Sequence, residues 1–349
     1  MKTRLLACLL SGLVLAGCEV DDDVRVLRLA HTLDTGHPVH KGMAHMAERL
    51  KALSGGTMRI DIYTSGQLGG ERETLELLQL GSLDMTKVGG SVIENFVPAM
   101  AVFSLPYLFD DQDHYWRGFK SDIGREILLQ GEPFWLRGLA YYDAGFRSFF
   151  TRKRPIDQPK DLRGMKIRVM KSNVAIQTVN VMGGHATPMA FGELYTAIQQ
   201  GVVDGAEGNP PTLYETRFQE IVDYYSLDEH SAPPDLLLIS THTWNDLDEQ
   251  QRAWLTQAVE ESVEYQRKVW NEDTEKALRA IEAAGVEIRR PDKRLFQEAV
   301  APLYASLANS NLAPWIRRIK ALSTKGATAN SGPGSQSSKQ GQPLAQSAP

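Results

Sequence analysis

The chain alternates strand-like and helix-like segments, and this alternation restricts the available folds more than any other feature. Apolar and polar side chains alternate over residues 24–30 and 58–63, which is typical of β-strands, and residues 83–88 form a third short strand. Between them, apolar side chains recur at helical spacing over 39–53, and a second helix begins near Glu71. This β-α-β-α-β order predicts a parallel sheet with helices packed on its faces.

The same order returns in the second half of the chain, so the sequence predicts two α/β units. Gly201 ends one of the later helices, and the strand that follows it begins a new unit of the pattern. The predicted strands cover residues 139–142, 165–170, 202–206 and 236–241, and the predicted helices cover 173–182 and 191–200.

A long helix follows these units. Asp248 and Gln251 stand three residues apart as in a capping box, and the helical spacing of apolar side chains continues to Gly285. A helix of about 38 residues is roughly 55 Å long, more than one small domain, so it is expected to cross both units. Two helices with a bend near Asn271 are the alternative. The predicted fold is α/β with two lobes, each a mostly parallel sheet flanked by helices, and a long helix spanning both lobes.

The first residues have the form of an export signal. An apolar stretch over residues 5–15 follows a positively charged start and is too short to span a membrane. The next residues, Leu15-Ala16-Gly17-Cys18, resemble the lipobox of bacterial lipoproteins, in which the signal is removed before an acylated cysteine. We predict a lipoprotein signal peptide over 1–17 and acylation of Cys18, with ordinary secretory cleavage as the alternative. Both routes export the mature chain.

The two ends of the mature chain differ from its centre. Residues 18–23 contain three aspartates and are predicted to form an acidic spacer, and residues 326–349 are rich in Gly, Ser, Gln, Ala and Pro, which predicts a disordered tail. The remaining residues divide into lobe I (24–145 and 230–270) and lobe II (146–229 and 271–325). A formal net charge of −5 argues against nucleic acid as a partner.

In folds of this class ligands bind at the carboxyl ends of the strands, so polar residues near those ends are candidates. Arg168 lies on the strand face opposite Ile167 and Val169, where a buried arginine needs an anionic partner. A ligand carboxylate, a surface ion pair and an edge strand in water all fit this spacing. A guanidinium binds a carboxylate with two hydrogen bonds. The other candidates are Lys87, Arg147, Asn209, Glu71, His31, His37, Asp34 and Asp235.

Three motifs point to a known family. They are Gly145-Phe146-Arg147, the run from Pro159 to Arg168, and the run from Glu193 to Glu207, which contains Gln200-Gly201-Val202-Val203-Asp204-Gly205. Two shorter segments, Leu105-Pro106-Tyr107-Leu108-Phe109 and Gly66-Gln67-Leu68-Gly69, match as well. Together they resemble the solute-binding proteins of TRAP transporters, the DctP family, over roughly residues 24–322.

This resemblance implies a two-lobed receptor in the periplasm of a Gram-negative bacterium. The lipobox-like start departs from many members of the family, which are simply secreted, and it predicts a lipid anchor at Cys18. The resemblance implies that the protein is not an enzyme, uses no cofactor, and delivers an organic acid to the membrane subunits of a sodium-driven permease. It also implies that Arg168 pairs with the ligand carboxylate and that Arg147 and Asn209 assist.

The remaining polar residues indicate which acid is bound. Glu71 would repel a dianion, whereas carboxylates, amides and histidines form hydrogen bonds with hydroxyl groups. We therefore predict a hexuronate such as D-glucuronate or D-galacturonate, or a related sugar acid. A C4-dicarboxylate is the alternative ligand. Glu71 is equally consistent with a carboxylate that only stabilises the start of a helix through the helix dipole.

Two other classes of protein remain open at this point. His31, His37, His40 and His45 are close in sequence and would suit a metal-binding receptor, although His40 and His45 would point about 140° apart on a helix. Glu71 and Asp235 are the only pair we consider for an exported glycosidase, because no hydrolase motif is present.

Overall fold

The computed structural model describes residues 24–324. The predicted signal peptide, the acylation at Cys18, the acidic spacer and the predicted tail over 326–349 all lie outside the described residues. Among the residues that are described, no helix is both long and apolar enough to cross a membrane.

The strands form two sheets. The first sheet has the order β2-β1-β3-β10-β4 and the second has the order β11-β9-β5-β8-β6-β7. The strands are β1 (Arg25–Ala30), β2 (Met58–Tyr63), β3 (Met85–Gly89), β4 (Leu136–Tyr142), β5 (Arg147–Thr151), β6 (Lys166–Val169), β7 (His185–Pro188), β8 (Gly205–Gly208), β9 (Tyr224–Ser231), β10 (Asp235–Ser240) and β11 (Glu287–Arg289).

Helices cover both faces of each sheet, and short 3₁₀ turns connect them. The α-helices are α1 (Pro38–Leu53), α2 (Glu71–Gln79), α3 (Gly90–Ile93), α4 (Gln112–Lys120), α5 (Asp122–Leu128), α6 (Asn173–Val181), α7 (Leu194–Gln199), α8 (Pro210–Glu215), α9 (Thr241–Asp246), α10 (Glu249–Ala283), α11 (Lys293–Ala299), α12 (Ala301–Ser306) and α13 (Ala313–Lys320). The 3₁₀ helices are Pro98–Ser104, Glu132–Phe134, Pro159–Leu162, Phe191–Glu193 and Phe218–Glu220.

Most predicted elements are confirmed to within a few residues, and two need correction. The strand predicted for 202–206 begins only at Gly205, because Gly201 takes a left-handed conformation and residues 202–204 complete a turn. The helix predicted for 191–200 begins with a 3₁₀ turn, and its α-helical part is only Leu194–Gln199.

Each sheet is mostly parallel and contains one reversed strand. β10 is antiparallel to β3 and β4, and β5 is antiparallel to β8 and β9. These are the strands that the chain enters when it crosses between the sheets, through residues 143–146 and 232–234. A reversed strand starts at the cleft between the sheets and runs away from it, whereas its antiparallel neighbours run towards the cleft and end there. Both crossings therefore bring chain segments to the place where ligands bind in such folds.

The long helix α10 is a single unbroken element of 35 residues, so the alternative of a bend near Asn271 is not observed. The predicted capping box of Asp248 and Gln251 is present at its start. Its first half packs in the core of the first sheet through Leu255, and its second half packs in the core of the second sheet through Ile281. The helix spans both units, as predicted.

Each sheet is buried on both faces. Successive side chains of a strand point to opposite sides of the sheet, so each strand contributes to two cores. On β10, Leu236 and Leu238 pack in one core of the first sheet, and Leu237 and Ile239 pack in the other. Helix α13 also packs on the first sheet's side through Ile319, although the sequence-based division places 271–325 in lobe II. The lobe boundaries as a whole stay a prediction.

Candidate functional site

A crevice of about 640 Å³ lies between the two sheets. Its walls include residues from β3 and β10 of the first sheet and from β5, β6 and β8 of the second, together with both crossing segments. The carboxyl ends of β3, β6 and β8 meet here, where sequence reasoning predicted the site.

Arg168 is the most unusual residue of the crevice. Its side chain is only 1% exposed, and β6 lies between β7 and β8, so the interpretations of a surface ion pair and of an edge strand are both wrong. The Nε and Nη2 atoms donate to the carbonyl oxygen of Met189, at 3.2 and 2.9 Å. Burial lowers the pKa of Arg168 to about 10, although Glu207 acts in the opposite direction. The guanidinium is therefore still charged at neutral pH.

Arg147 begins β5 and already has an anionic partner. Its Nε donates to a carboxylate oxygen of Glu207, and its Nη2 donates to the backbone oxygen of the same residue at 2.8 Å. Burial acts to lower the pKa of Arg147, but the Glu207 carboxylate outweighs this effect and raises it. The other oxygen of Glu207, Oε1, is buried and has no hydrogen-bond partner within residues 24–324.

Lys87, which lies within β3 rather than past its end, joins two carboxylates. Its Nζ lies 3.2 Å from Oε1 of Glu71 and 3.0 Å from Oδ1 of Asp235. Burial acts to lower the pKa of Lys87, but Asp235 and Glu71 together raise it. The Glu71 carboxylate also accepts from the backbone N–H of Gly89 at 3.0 Å. Glu71 therefore links α2 to β3 and also lines the crevice.

The charges of the crevice therefore divide into paired and unpaired groups. Arg147 pairs with Glu207, and Lys87 pairs with Glu71 and Asp235. In the part of the chain that the structure describes, no carboxylate lies within ion-pair distance of the Arg168 guanidinium, whose hydrogen bonds go to a backbone carbonyl. Arg168 is thus the charged group of the crevice that a carboxylate from outside would satisfy.

Asn209 and His37 also line the crevice. Asn209 caps α8 by accepting from the N–H of Thr212, and its Nδ2 donates to the carbonyl of Ala144 at 3.0 Å. His37 caps α1 through Nδ1, and its Nε2 lies 3.2 Å from the hydroxyl of Thr212. These bonds fix both side chains against backbone that borders the crevice.

The other predicted residues lie elsewhere. His31 is buried, but its Nε2 faces Nδ1 of His40 at 3.0 Å and it is not part of the crevice wall. Asp34 is exposed and accepts from Ser65. His45 stacks on Tyr265, with 4.3 Å between ring centroids. The four histidines proposed as metal ligands therefore do not converge, and residues 24–324 contain no group of three His, Cys, Asp or Glu able to hold a metal ion.

The buried His31 predicts an acid-sensitive fold. Burial, then Lys87 and His40, lower its pKa from 6.5 to about 3. Between these values the unfolded chain binds a proton that the folded chain does not, so stability falls as pH drops from 6.5 towards 3. This amounts to about 1.4 kcal/mol per pH unit, or about 2 kcal/mol at pH 5.

Replacing His31 with asparagine, whose Oδ1 still accepts from the N–H of Leu33, should remove this contribution. Urea unfolding at pH 7 and pH 5 is then expected to show a loss of stability about 2 kcal/mol smaller than in the wild type. His185→Asn, at an exposed position, is the control and should leave the pH dependence unchanged. An unaltered difference in His31→Asn would contradict the prediction.

Sequence reasoning missed several residues of the crevice wall. Glu207 lies in the quoted motif and at the end of β8, which is the signal that identifies it as a candidate. Met170, Phe191 and Phe218 provide apolar walls, and their periodicity is indistinguishable from that of core residues. A second cavity of about 630 Å³ adjoins the first and shares Arg168, Met170 and Phe191 with it.

Comparison with known proteins gives a consistent result. The family model described as bacterial extracellular solute-binding protein, family 7 (DctP), matches residues 29–311. A curated relative, the uncharacterized protein YiiZ of Salmonella typhimurium, is 39% identical over 81% of this chain and 87% of its own. The C4-dicarboxylate-binding periplasmic protein DctP of Rhodobacter capsulatus is 28% identical over 86% of this chain and 91% of its own.

Solved structures of TRAP periplasmic solute-binding proteins match the fold. One from Bradyrhizobium, in complex with D-galacturonate, has a TM-score of 0.83 at 36% identity and covers 85% of this chain and 100% of its own. One from Pseudomonas putida F1, with bound D-glucuronate, has a TM-score of 0.82 at 34% identity and covers 85% of this chain and 97% of its own. One from Polaromonas, bound to D-erythronate, has a TM-score of 0.83 at 31% identity and covers 85% of this chain and 98% of its own.

Proposed function

The chain belongs to the DctP family of bacterial extracellular solute-binding proteins, family 7, and we propose that it is the receptor of a TRAP transporter for a sugar acid. The ligand in this proposal is a hexuronate, D-galacturonate or D-glucuronate, or a related acid. The solved relatives named above with galacturonate, glucuronate and erythronate support this class of ligand.

The observation that carries the proposal is the unpaired charge of Arg168. A guanidinium that is 1% exposed and has no carboxylate partner in the described part of the chain is costly to bury. A ligand carboxylate would restore its ion pair through two parallel hydrogen bonds. In this proposal Arg168 binds the carboxylate, and Arg147 and Asn209 lie beside it in the crevice wall.

The pairing of the other charges favours a ligand with one carboxylate over a C4-dicarboxylate. Lys87 is committed to Glu71 and Asp235, and Arg147 is committed to Glu207, so a second carboxylate would meet no free cation in the described wall. Sugar hydroxyls instead donate to carboxylate oxygens such as those of Glu71 and Asp235. A C4-dicarboxylate remains the alternative, because a curated relative is named for binding one.

The cellular setting completes the proposal. We place the mature protein in the periplasm, anchored by a lipid at Cys18, where it delivers its ligand to the membrane subunits of the permease. No enzymatic step is part of the proposal. Lys87 holds Glu71 and Asp235 through one Nζ atom, so both carboxylates are ion-pair partners rather than a free glycosidase pair.

Thermal-shift screening tests the proposal directly. A ligand that binds only the folded state at 100 times its Kd stabilises it by about 2.7 kcal/mol. For about 300 folded residues we expect the Tm to rise by about 4 °C with hexuronates or aldonates. The panel includes C4-dicarboxylates, 2-oxo acids, taurine and zinc.

Each class of hit has a distinct meaning. A shift with C4-dicarboxylates alone would retain the receptor and reject the sugar acid. A shift with zinc alone would reject the sugar-acid proposal.

A further inference from the structure

An exposed apolar patch lies on the first sheet's unit, far from the crevice. Leu80 is 75% exposed, Trp135 is 50% exposed and Phe134 is 42% exposed. The three are neighbours, because Nε2 of Gln79 donates to the carbonyl of Phe134 at 3.0 Å. The exposed ring of His242 lies parallel to that of Trp135, with 6.4 Å between the centroids. We call Leu80, Phe134, Trp135 and His242 the apolar patch. None of these four side chains is acidic.

The backbone holds Trp135 outward in an uncommon conformation. Its φ is +60°, in the left-handed region that bulky residues rarely adopt. Such strain persists where the surrounding structure enforces it and is concentrated at functional sites. The strain here presents a large aromatic side chain to solvent, which argues for an interaction surface.

The patch lies beside the start of the described chain. The carbonyl of Trp135 accepts from the N–H of Thr241 at 3.2 Å, at the first residue of α9. The last residue of α9, Asp246, pairs with Arg25 at the start of β1. A six-residue helix is about 9 Å long, so the patch and Arg25 lie on the same end of the first sheet. This end holds the amino ends of β1, β3 and β4, opposite to the crevice.

The distance from the predicted lipid to the patch is short. Arg25 follows Cys18 by seven positions, and a fully extended chain spans at most about 25 Å over seven steps. An acyl group on Cys18 would therefore hold Arg25 within about 25 Å of a membrane surface. The apolar patch lies about one length of α9 from Arg25. Tryptophan is the side chain most typical of the membrane–water interface, since it combines an apolar ring with one N–H donor.

We propose that the apolar patch rests in the interfacial region of a lipid bilayer, as a second contact beside the lipid at Cys18. The proposal depends on the predicted acylation and goes beyond the binding of the solute. This contact places the amino ends of the first sheet on the membrane and leaves the crevice open to the solution.

Fluorescence quenching by brominated lipids tests the proposal. The full chain, produced with its own N-terminus, is reconstituted into phosphatidylcholine–phosphatidylglycerol vesicles with or without bromine on the acyl chains. Brominated lipid should quench part of the wild-type tryptophan emission, and this quenched component should be absent in Trp135→Phe. Trp315→Phe, a partly buried tryptophan on α13, is the matched control and should retain the quenching.

A second pair of variants separates the patch from general hydrophobicity. Leu80→Ser should reduce the quenching, whereas Leu295→Ser, which removes an exposed leucine on α11, should not. Failure of the full chain to bind vesicles would overturn the proposal, as would quenching that survives in Trp135→Phe. A dimer that forms without lipid and is lost in Trp135→Phe would overturn it in favour of a second copy of the chain.

Discussion

Arg168→Ala is expected to weaken the binding of D-galacturonate or D-glucuronate roughly 150- to 5,000-fold, as measured by isothermal titration calorimetry. Removing one partner of a buried charge pair costs about 3–5 kcal/mol, which corresponds to this range. The loss is large because the remaining cations of the crevice are committed to Glu71, Asp235 and Glu207 and are not free to replace the guanidinium.

The unliganded Arg168→Ala protein should retain its fold. The wild-type guanidinium is buried without a carboxylate partner, so its removal relieves a desolvation cost and leaves one carbonyl, that of Met189, without its donor. We therefore expect little change in the Tm without ligand, together with loss of the ligand-induced rise. Function and stability are thus separated at this position.

Arg168→Lys provides the matched control. Lysine keeps the charge but lacks the planar fork that binds both carboxylate oxygens, so an intermediate affinity is expected. Wild-type affinity in Arg168→Ala would reject the assignment of the carboxylate site. Equal loss in the lysine and alanine variants would show that the geometry of the fork matters more than its charge.

The sequence predicted Arg168 because two independent signals agree there. The alternation over β6 places the arginine opposite Ile167 and Val169, and the end of a parallel strand is where ligands bind. Both signals are local and both hold in the structure. Lys87 and Asn209 were found in the same way, from their positions near strand ends, and Glu71 was found from its position at the start of the helix that follows a strand.

The pairing of the charges could not be predicted in this way. Glu207 lies 60 residues from Arg147, and Asp235 lies 148 residues from Lys87. Such pairs depend on which strands are adjacent, and β10 enters the first sheet from the second half of the chain. The sequence therefore identified most charged residues of the crevice without showing that only Arg168 is left unpaired.

Strand β9 was missed for a different reason. It carries the buried Asp228 and His230, whose side chains bond to each other at 2.9 Å, so its inward positions read as polar. Period-2 patterns of hydrophobicity fail where a buried pair of hydrogen-bonded polar side chains replaces apolar ones. The short strands β7 and β11 lie at the edges of the second sheet and contain too few residues to produce a pattern.

Glu207→Gln is expected to change both stability and ligand preference. Arg147 would lose its counter-charge while it remains mostly buried, which costs about 3–5 kcal/mol and lowers the Tm by roughly 5–8 °C without ligand. The crevice would also hold two cations, Arg147 and Arg168, that lack a carboxylate. A second ligand carboxylate would then find a partner.

The comparison of two ligands makes this prediction specific. In the variant, a C4-dicarboxylate such as succinate should raise the Tm more than it does in the wild type, and the preference for hexuronate over succinate should fall by about tenfold or more, as expected for one restored charge pair. Glu76→Gln is the control, because its pair with Arg72 is about half exposed and such surface pairs contribute little.

The two measurements together test why the crevice selects its ligand. If Glu207→Gln lowers the Tm and succinate restores it, the carboxylate of Glu207 occupies the place that a second ligand carboxylate would take, and the protein excludes dicarboxylates by supplying that charge itself. If the Tm falls but succinate raises it no more in the variant than in the wild type, Arg147 is inaccessible to the ligand and Glu207 only stabilises the fold. In that case selection against dicarboxylates must come from Glu71 and Asp235, the two carboxylates that Lys87 holds at the opposite wall.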